Sequence, residues 1–223
     1  MKLLIAALIL LGSSSLMAKP ITLESVIKKE PVVKIMPTFG VMKLKSDYLD
    51  YNSTISTGVA LDFMLSSRFS VGVNFTFSLF ELYEDHFAYS SNEMDLKQYD
   101  LGIFTKFFII PHGVIRPFIA TGISYIHNKM NYADDAYAYY DDDYTFGTVA
   151  GTVAVGSEVR FSRNIGLIID GRFTQNFASG LNRRYGDSTN SIYGYVPLAM
   201  ERIEYDLEDA YSLALNVGLI ILF

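Results

Sequence analysis

The chain has 223 residues, a formal net charge of −6, 50% hydrophobic residues, 16 Tyr and 16 Phe, and neither Cys nor Trp. That length suits one domain or one barrel. Without Cys there is no disulfide framework, no thiolate chemistry and no lipid-bearing Cys behind a leader. The acidic balance, with no Lys/Arg cluster against it, excludes a nucleic-acid surface. No stretch reaches the roughly 18 apolar residues that a spanning helix needs.

The one continuous apolar run is Leu3 to Leu11, preceded by Lys2 and followed by Gly12, Ser13, Ser14, Ser15, Leu16, Met17 and Ala18. A basic start, a short apolar core and a small-residue exit predict a secretory signal peptide over residues 1–18. The expected cut follows Ala18. Leu16 is unusual at its position, so a cut after Ser15 is the alternative; a buried helix of a cytosolic protein is the other reading of the run. Residues 19–31 are polar, with Lys28, Lys29 and Glu30, and predict a periplasmic lead-in. Residues 32–223 then form a single unit of alternating segments.

Side chains alternate across a strand, so a period of two marks one apolar and one polar face. The first strand carries Val33, Ile35, Phe39 and Val41 on its apolar face. In the second, Ile55, Thr57, Val59, Leu61, Phe63 and Leu65 oppose Ser56, Gly58, Ala60, Asp62 and Met64. The third sets Phe69, Val71, Val73, Phe75, Phe77 and Leu79 against Ser70, Gly72, Asn74, Thr76 and Ser78. The fourth sets Tyr99, Leu101, Ile103, Phe107 and Ile109 against Asp100, Gly102 and Lys106. The fifth starts near Pro117 and sets Ile119, Thr121, Ile123 and Tyr125 against Ala120, Gly122 and Ser124. The sixth has Val149, Val153, Val155, Val159 and Phe161 opposite Thr148, Ala150, Thr152, Ala154, Gly156, Glu158 and Arg160. The seventh has Ile165, Leu167, Ile169 and Phe173 opposite Gly166, Asp170, Arg172 and Thr174. The eighth has Tyr211, Leu213, Leu215, Val217, Leu219, Ile221 and Phe223 opposite Ser212, Ala214, Asn216 and Gly218. Pro37 and Pro117 must fall at a strand end, a bulge or an unpaired position.

Connections at 66–68, 111–116 and 162–164 are short, while those at 43–53, 81–96, 127–144 and 178–209 are long and polar. Short turns alternating with long loops predict an all-β, eight-stranded antiparallel transmembrane barrel of up-and-down order, with short turns and both termini in the periplasm and long loops outside. A soluble sandwich lacks that alternation. The second face, rich in Gly, Ala, Ser and Thr, fits the narrow lumen of an eight-stranded barrel. Its charges are Asp62, Asp100, Lys106, Glu158, Arg160, Asp170 and Arg172. They must pair, since an isolated buried charge is costly. The expectation is a polar plug with at least one pair among Glu158, Arg160, Asp170 and Arg172. Outward aromatics sort into a Phe girdle (Phe63, Phe69, Phe107, Phe161, Phe223) and a Tyr girdle (Tyr99, Tyr125, Tyr211).

A terminal Phe preceded by apolar residues at every second position, Tyr211, Leu213, Leu215, Val217, Leu219, Ile221 and Phe223, resembles the signal by which the outer-membrane assembly machinery recognises its clients. With the strand count, the chain from residue 32 onward resembles the small OmpA-like and OmpW-like outer-membrane barrel families. That resemblance implies residence in the outer membrane among lipid and lipopolysaccharide. The last strand ends the sequence, so no peptidoglycan-binding domain is expected after it.

No enzyme activity and no cofactor are expected. His127 falls on the lipid side at the outer end of the fifth strand. Barrel enzymes that deacylate lipid A place a Ser two residues after such a His, and Lys129 stands there instead. His86 and His112 read as solvated. In the third loop Asp134, Asp135, Asp141, Asp142 and Asp143 are weak candidates for a Ca²⁺-type site. Their spacing is not that of a Ca²⁺ loop, so a solvated acidic loop, or one meeting divalent-bridged lipopolysaccharide with its Tyr residues as contact area, is the preferred reading. Two functions follow: a structural or surface-interaction barrel acting through its loops (membrane integrity, adhesion, contact with an unidentified extracellular partner), or a narrow porin-like or lateral route for small or hydrophobic solutes.

Overall fold

Strict alternation of apolar and small or polar residues, sustained over eight segments, leaves each segment one face for hydrocarbon and one for a lumen. The computed structural model describes residues 33–46, 53–83, 93–132, 144–185 and 198–223. The predicted signal peptide at 1–18, the lead-in at 19–31 and the acidic residues Asp134, Asp135, Asp141, Asp142 and Asp143 lie outside the described residues. Eight strands form the sheet: β1 (Val33–Lys45), β2 (Thr54–Met64), β3 (Phe69–Tyr83), β4 (Glu93–Phe108), β5 (Ile115–Tyr132), β6 (Tyr144–Arg160), β7 (Ile165–Tyr185) and β8 (Tyr211–Leu222). Each pairs antiparallel with the next, and β8 pairs back onto β1 to close the barrel. One helix, α1 (Leu198–Glu208), intervenes before β8.

The wall faces as the alternation requires. Leu101, Ile103, Ile123, Val155 and Leu215 point outward and are 58–65% exposed. Around the whole circumference such a belt is untenable in water, and it is the lipid-facing surface of a transmembrane barrel. Closure leaves no sheet edge with unpaired backbone in hydrocarbon. In the Phe girdle Phe69 meets Phe107 edge-on at 5.5 Å. In the other girdle Phe77, Tyr99 and His127 form a row, with ring separations of 5.2 and 6.1 Å. An Arg at position 101 would carry charge into the middle of the belt. Leu101→Arg is therefore expected to lower stability by about 2–4 kcal/mol, read by urea unfolding in lipid bilayers. A near-neutral result would mean that this face is wet.

Two of the short turns share one device. In residues 65–68 the Ser66 hydroxyl accepts from the backbone N–H groups of Arg68 and Phe69 at 3.3 and 3.0 Å. In residues 161–164 the Ser162 hydroxyl does the same for Asn164 and Ile165 at 3.3 and 3.1 Å. A serine at the turn entry thus satisfies donors that the hairpin leaves open. The third turn, 109–114, uses Gly113 at φ 120°, a conformation open to glycine and costly for other residues. Pro37 sits where pairing with β8 lapses between Ile35–Ile221 and Thr38–Gly218. Pro117 lies just past the β4 ladder, which ends at Phe108–Phe118. Neither ring interrupts a hydrogen bond it would need to donate.

Several boundaries differ from expectation. The fifth strand begins at Ile115 rather than near Pro117, which turns Arg116 from a turn residue into a lumen residue with no exposure. The seventh strand runs for 21 residues, to Tyr185, far past the predicted loop start at 178. Register shifts against β6, with Gly180 and Asn182 at φ 75° and 53°, carry this extension. A spanning strand needs only about 9–11 residues. The 18, 17 and 21 residues of β5, β6 and β7 therefore raise a collar at the loop end.

Candidate functional site

From the turn end to the loop end the lumen is filled in layers. At the turn end, Met36, Met64, Phe108, Phe118, Ile168, Ile220 and Leu222 form an apolar cluster. Within it sits a quartet of opposite charges from four strands. Lys34 Nζ donates to both Glu158 carboxylate oxygens at 2.8 and 2.9 Å and to Asp62 Oδ2 at 3.3 Å. Lys106 Nζ donates to Asp62 Oδ2 and Glu158 Oε1, each at 3.0 Å. Lys34, Asp62 and Glu158 have no exposure, and Lys106 has 3%. The ammonium groups also stand 4.6 Å from ring centroids, Lys34 over Phe108 and Lys106 over Phe118, and the Arg116 guanidinium lies 4.1 Å from the Phe108 centroid. Arg116 donates to the Ser67 carbonyl at 3.0 Å, tying the lumen floor to the first short turn. Two cations and two anions cancel locally, and the rings absorb residual positive charge.

Above the quartet is a small, mostly apolar chamber of about 70 Å³ whose polar lining groups include Asn74, Asp100, Lys106, Ser124, Asp170 and Arg172. Arg172 grips Asp170 at 2.7 and 3.4 Å, and Asn216 donates to Asp170 Oδ1 at 3.0 Å. A polar ladder follows: Gln98 donates to Asn128 at 2.9 Å, Asn128 to Thr148 at 2.8 Å, and Thr148 meets Ser179 at 3.1 Å.

At the loop end Leu44, Phe80, Leu96, Met130, Tyr144 and Phe146 point inward as an apolar cup, and Ile203, Leu207 and Ala210 fill it. Ile203 and Leu207 lie four apart, hence on one face of α1. Polar contacts surround this seal. Glu204 accepts from Tyr144 and Arg183, and Asp206 accepts from Ser46. Asn176 donates to the Leu207 carbonyl at 2.7 Å, and Gln175 to the Asp209 carbonyl at 3.0 Å. The segment read as part of a long loop is thus, over Leu198–Glu208, a helical stopper.

The structure brings Asp62, Lys106 and Glu158 into one cluster, but with Lys34, which the alternation had not singled out. Glu158 turns to β1 and β4, not to the neighbouring β7. The pair found among Glu158, Arg160, Asp170 and Arg172 is Asp170–Arg172, two residues apart on one strand. Arg160 stands at the turn end of β6. Asp100 departs from the expectation that every lumen charge is paired: its Oδ1 is buried without a hydrogen-bond partner. Tyr211, Leu213, Leu215, Val217 and Leu219 face outward on β8, Ile221 is half-buried on the same side, and the exposed Phe223 closes the seam by donating its N–H to the Val33 carbonyl at 3.0 Å. Among the described residues no three His, Asp or Glu converge as a metal site would require. His127 packs against Tyr99, with Lys129 two residues on.

A closed eight-stranded meander with an apolar exterior and a filled lumen has the architecture of the small outer-membrane β-barrels. Neither a family model nor a curated protein matches the sequence. Among solved structures the chain is similar to Neisserial surface protein A, at 11% identity and a TM-score of 0.57 over 86% of this chain and 97% of that one. It is also similar to Ail, the attachment invasion locus protein of Yersinia pestis, in complex with the heparin analogue sucrose octasulfate, at 10% identity and a TM-score of 0.54 over 87% of this chain and 100% of that one. A major outer membrane protein from Thermus thermophilus gives 11% identity and a TM-score of 0.53 over 86% and 99%. At such identities the likeness is one of fold.

Proposed function

We propose that the protein is an integral outer-membrane barrel with a structural and surface-contact role, its short turns and termini in the periplasm and its long connections outside. The observation that carries this reading is the filled lumen: ion quartet below, polar ladder in the middle, helical stopper above. Such a barrel offers no aqueous conduit, which disfavours the narrow-transport reading and leaves the exterior connections as the working surface. The alternating Tyr211–Phe223 row serves as the recognition signal for the assembly machinery, and lipid and lipopolysaccharide are the surroundings.

The chemistry of the exterior connections limits the partner. Each of the four is acidic: Asp47 and Asp50, Glu84 and Asp85, the Asp134–Asp143 run, and Asp187 with Glu201, Glu208 and Asp209, against Arg202 as their single base; Glu204 and Asp206 are spent in the stopper. A polyanion such as the heparin analogue held by Ail would be repelled. The partner that fits is cationic, or is lipopolysaccharide reached through divalent ions.

The chain has no Cys, so single reporter thiols test this arrangement cleanly. On intact cells Tyr137→Cys should react with a membrane-impermeant maleimide, and Ser67→Cys should react only after the outer membrane is permeabilised. The reverse pattern would refute the orientation. Vesicles bearing the protein should adhere to a polylysine surface and not to heparin, and Asn at positions 134, 135, 141, 142 and 143 should abolish the adhesion. Adhesion to heparin would overturn the contact reading.

A further inference from the structure

On the outer wall just above the Tyr girdle, the register lines up bases. Lys97 of β4 is the direct cross-strand partner of Lys129 on β5, Lys129 of Thr145 on β6, and Thr145 of Arg184 on β7. The strand neighbours Leu96, Gln98, Asn128, Met130, Tyr144 and Phe146 are buried inward, so this row faces away from the lumen. Both lysines are half-buried and Arg184 is exposed, while the adjacent Arg183 is taken by Glu204. The row directly beneath is Tyr99, His127, Gly147 and Leu181. The bases therefore stand where hydrocarbon gives way to head groups. Two lysines directly opposite each other repel, which destabilises the strand pair unless an anion lies between them. The nearest acids, Glu81 and Asp95, oppose each other one step further out. Among the described residues Lys97 closes an ion pair with neither.

We propose that this row binds a glycolipid whose head group carries two separated phosphates, its acyl chains lying on the wall below. The inference rests on the outer-membrane reading above and gives the lipid contact within it a place. Paired strands lie about 4.8 Å apart, so Lys97 and Lys129 converge on one phosphate, which relieves their repulsion. Arg184 stands two strands further along the wall, about 10 Å from Lys129, and takes the second phosphate with its planar fork. A lipid with a single phosphate engages the lysine pair and leaves Arg184 without a ligand. Below the row, the Tyr99 and His127 rings give way to Leu101 and Ile123, 61% and 59% exposed, an apolar track for the chains. Glu81 and Asp95, one step beyond the phosphates, stand at the height of the sugars, whose hydroxyls donate to carboxylates.

The test uses the full chain refolded into phosphatidylcholine nanodiscs, where binding does not depend on which end faces the cell exterior. Orientation is read separately by the thiol labelling above, so either reading can fail alone. In native mass spectra, bisphosphorylated lipid A should bind about tenfold more tightly than its monophosphorylated form. Phosphatidylglycerol should bind no better than the latter. Arg184→Gln should erase the difference between the two lipid A forms, and Lys129→Gln should weaken both about tenfold. Lys97→Gln should change sign with the lipid. In phosphatidylcholine alone it removes a repulsion and should raise Tm by about 1–2 °C; with bisphosphorylated lipid A present it should lower Tm. All three side chains are on the outer surface, and the heat-dependent mobility shift in SDS gels checks that each variant is folded. Equal binding of the three lipids by the wild-type protein would overturn the proposal without recourse to any variant. So would a preference for the bisphosphorylated form that survives all three substitutions together, or a Lys97→Gln variant that loses stability in both kinds of disc, which would make Lys97 a structural part of the wall.

Discussion

Glu158→Gln should destabilise the barrel by about 3–5 kcal/mol, the largest loss expected from any single lumen substitution. Glu158 takes Lys34 at 2.8 and 2.9 Å and Lys106 at 3.0 Å. Without its charge, two buried ammonium groups share one carboxylate. Asp62→Asn should cost less, because Asp62 takes Lys34 through one contact at 3.3 Å where Glu158 makes two at 2.8 and 2.9 Å, while both take Lys106 at 3.0 Å. Replacing all four residues by Met and Leu of similar volume should cost less than Glu158→Gln alone. A complete buried ion cluster roughly offsets its own desolvation, whereas a broken one leaves a charge unmatched. Urea unfolding of the refolded variants ranks them. A quadruple apolar variant weaker than Glu158→Gln would mean that the quartet contributes net stability beyond mutual neutralisation.

Leu207→Ala should release the stopper without unfolding the barrel. Leu207 is fully buried in the loop-end cup, and emptying such a site costs about 2–5 kcal/mol. The partners of α1 come from the collar above the membrane and from the cup, while the wall below closes on its own hydrogen bonds. Local opening therefore takes the loss. Proteolysis within α1 should accelerate about a hundredfold, the equivalent of roughly 2.7 kcal/mol, with the heat-dependent mobility shift of the barrel in SDS gels unchanged. Loss of that shift together with the proteolysis would make α1 part of the cooperative barrel rather than a separate stopper.

The wall was legible because lipid outside and a crowded lumen inside impose a period of two on every strand. β2, β3 and β8 follow it without a break, so their faces and register read straight from the residues. The lumen was legible only in part. Lys34 could have been found by parity, since it sits between outward Val33 and Ile35 at the first turn of the pattern. Arg116 was hidden by Pro117, which mimics a strand start; counting back from inward Phe118 places it in the lumen. The partners of Glu158 were not legible, because opposite walls of a narrow barrel touch and sequence neighbourhood does not say which residues meet across the axis. α1 was hidden by composition. Its buried apolar residues are Ile203 and Leu207, continued past its end by Ala210, and they stand among acids that made the segment look like a solvated loop. Tyr144 and Phe146 complete the cup it fills, and both continue the inward parity of β6.

Planar-bilayer recording of the refolded full chain shows whether the lumen is closed. The layered filling predicts a silent baseline, with no steps of reproducible size in wild type or in Leu207→Ala, since the quartet still seals the floor when the stopper is released. Stable steps of one defined conductance in the wild-type protein would show an open lumen instead.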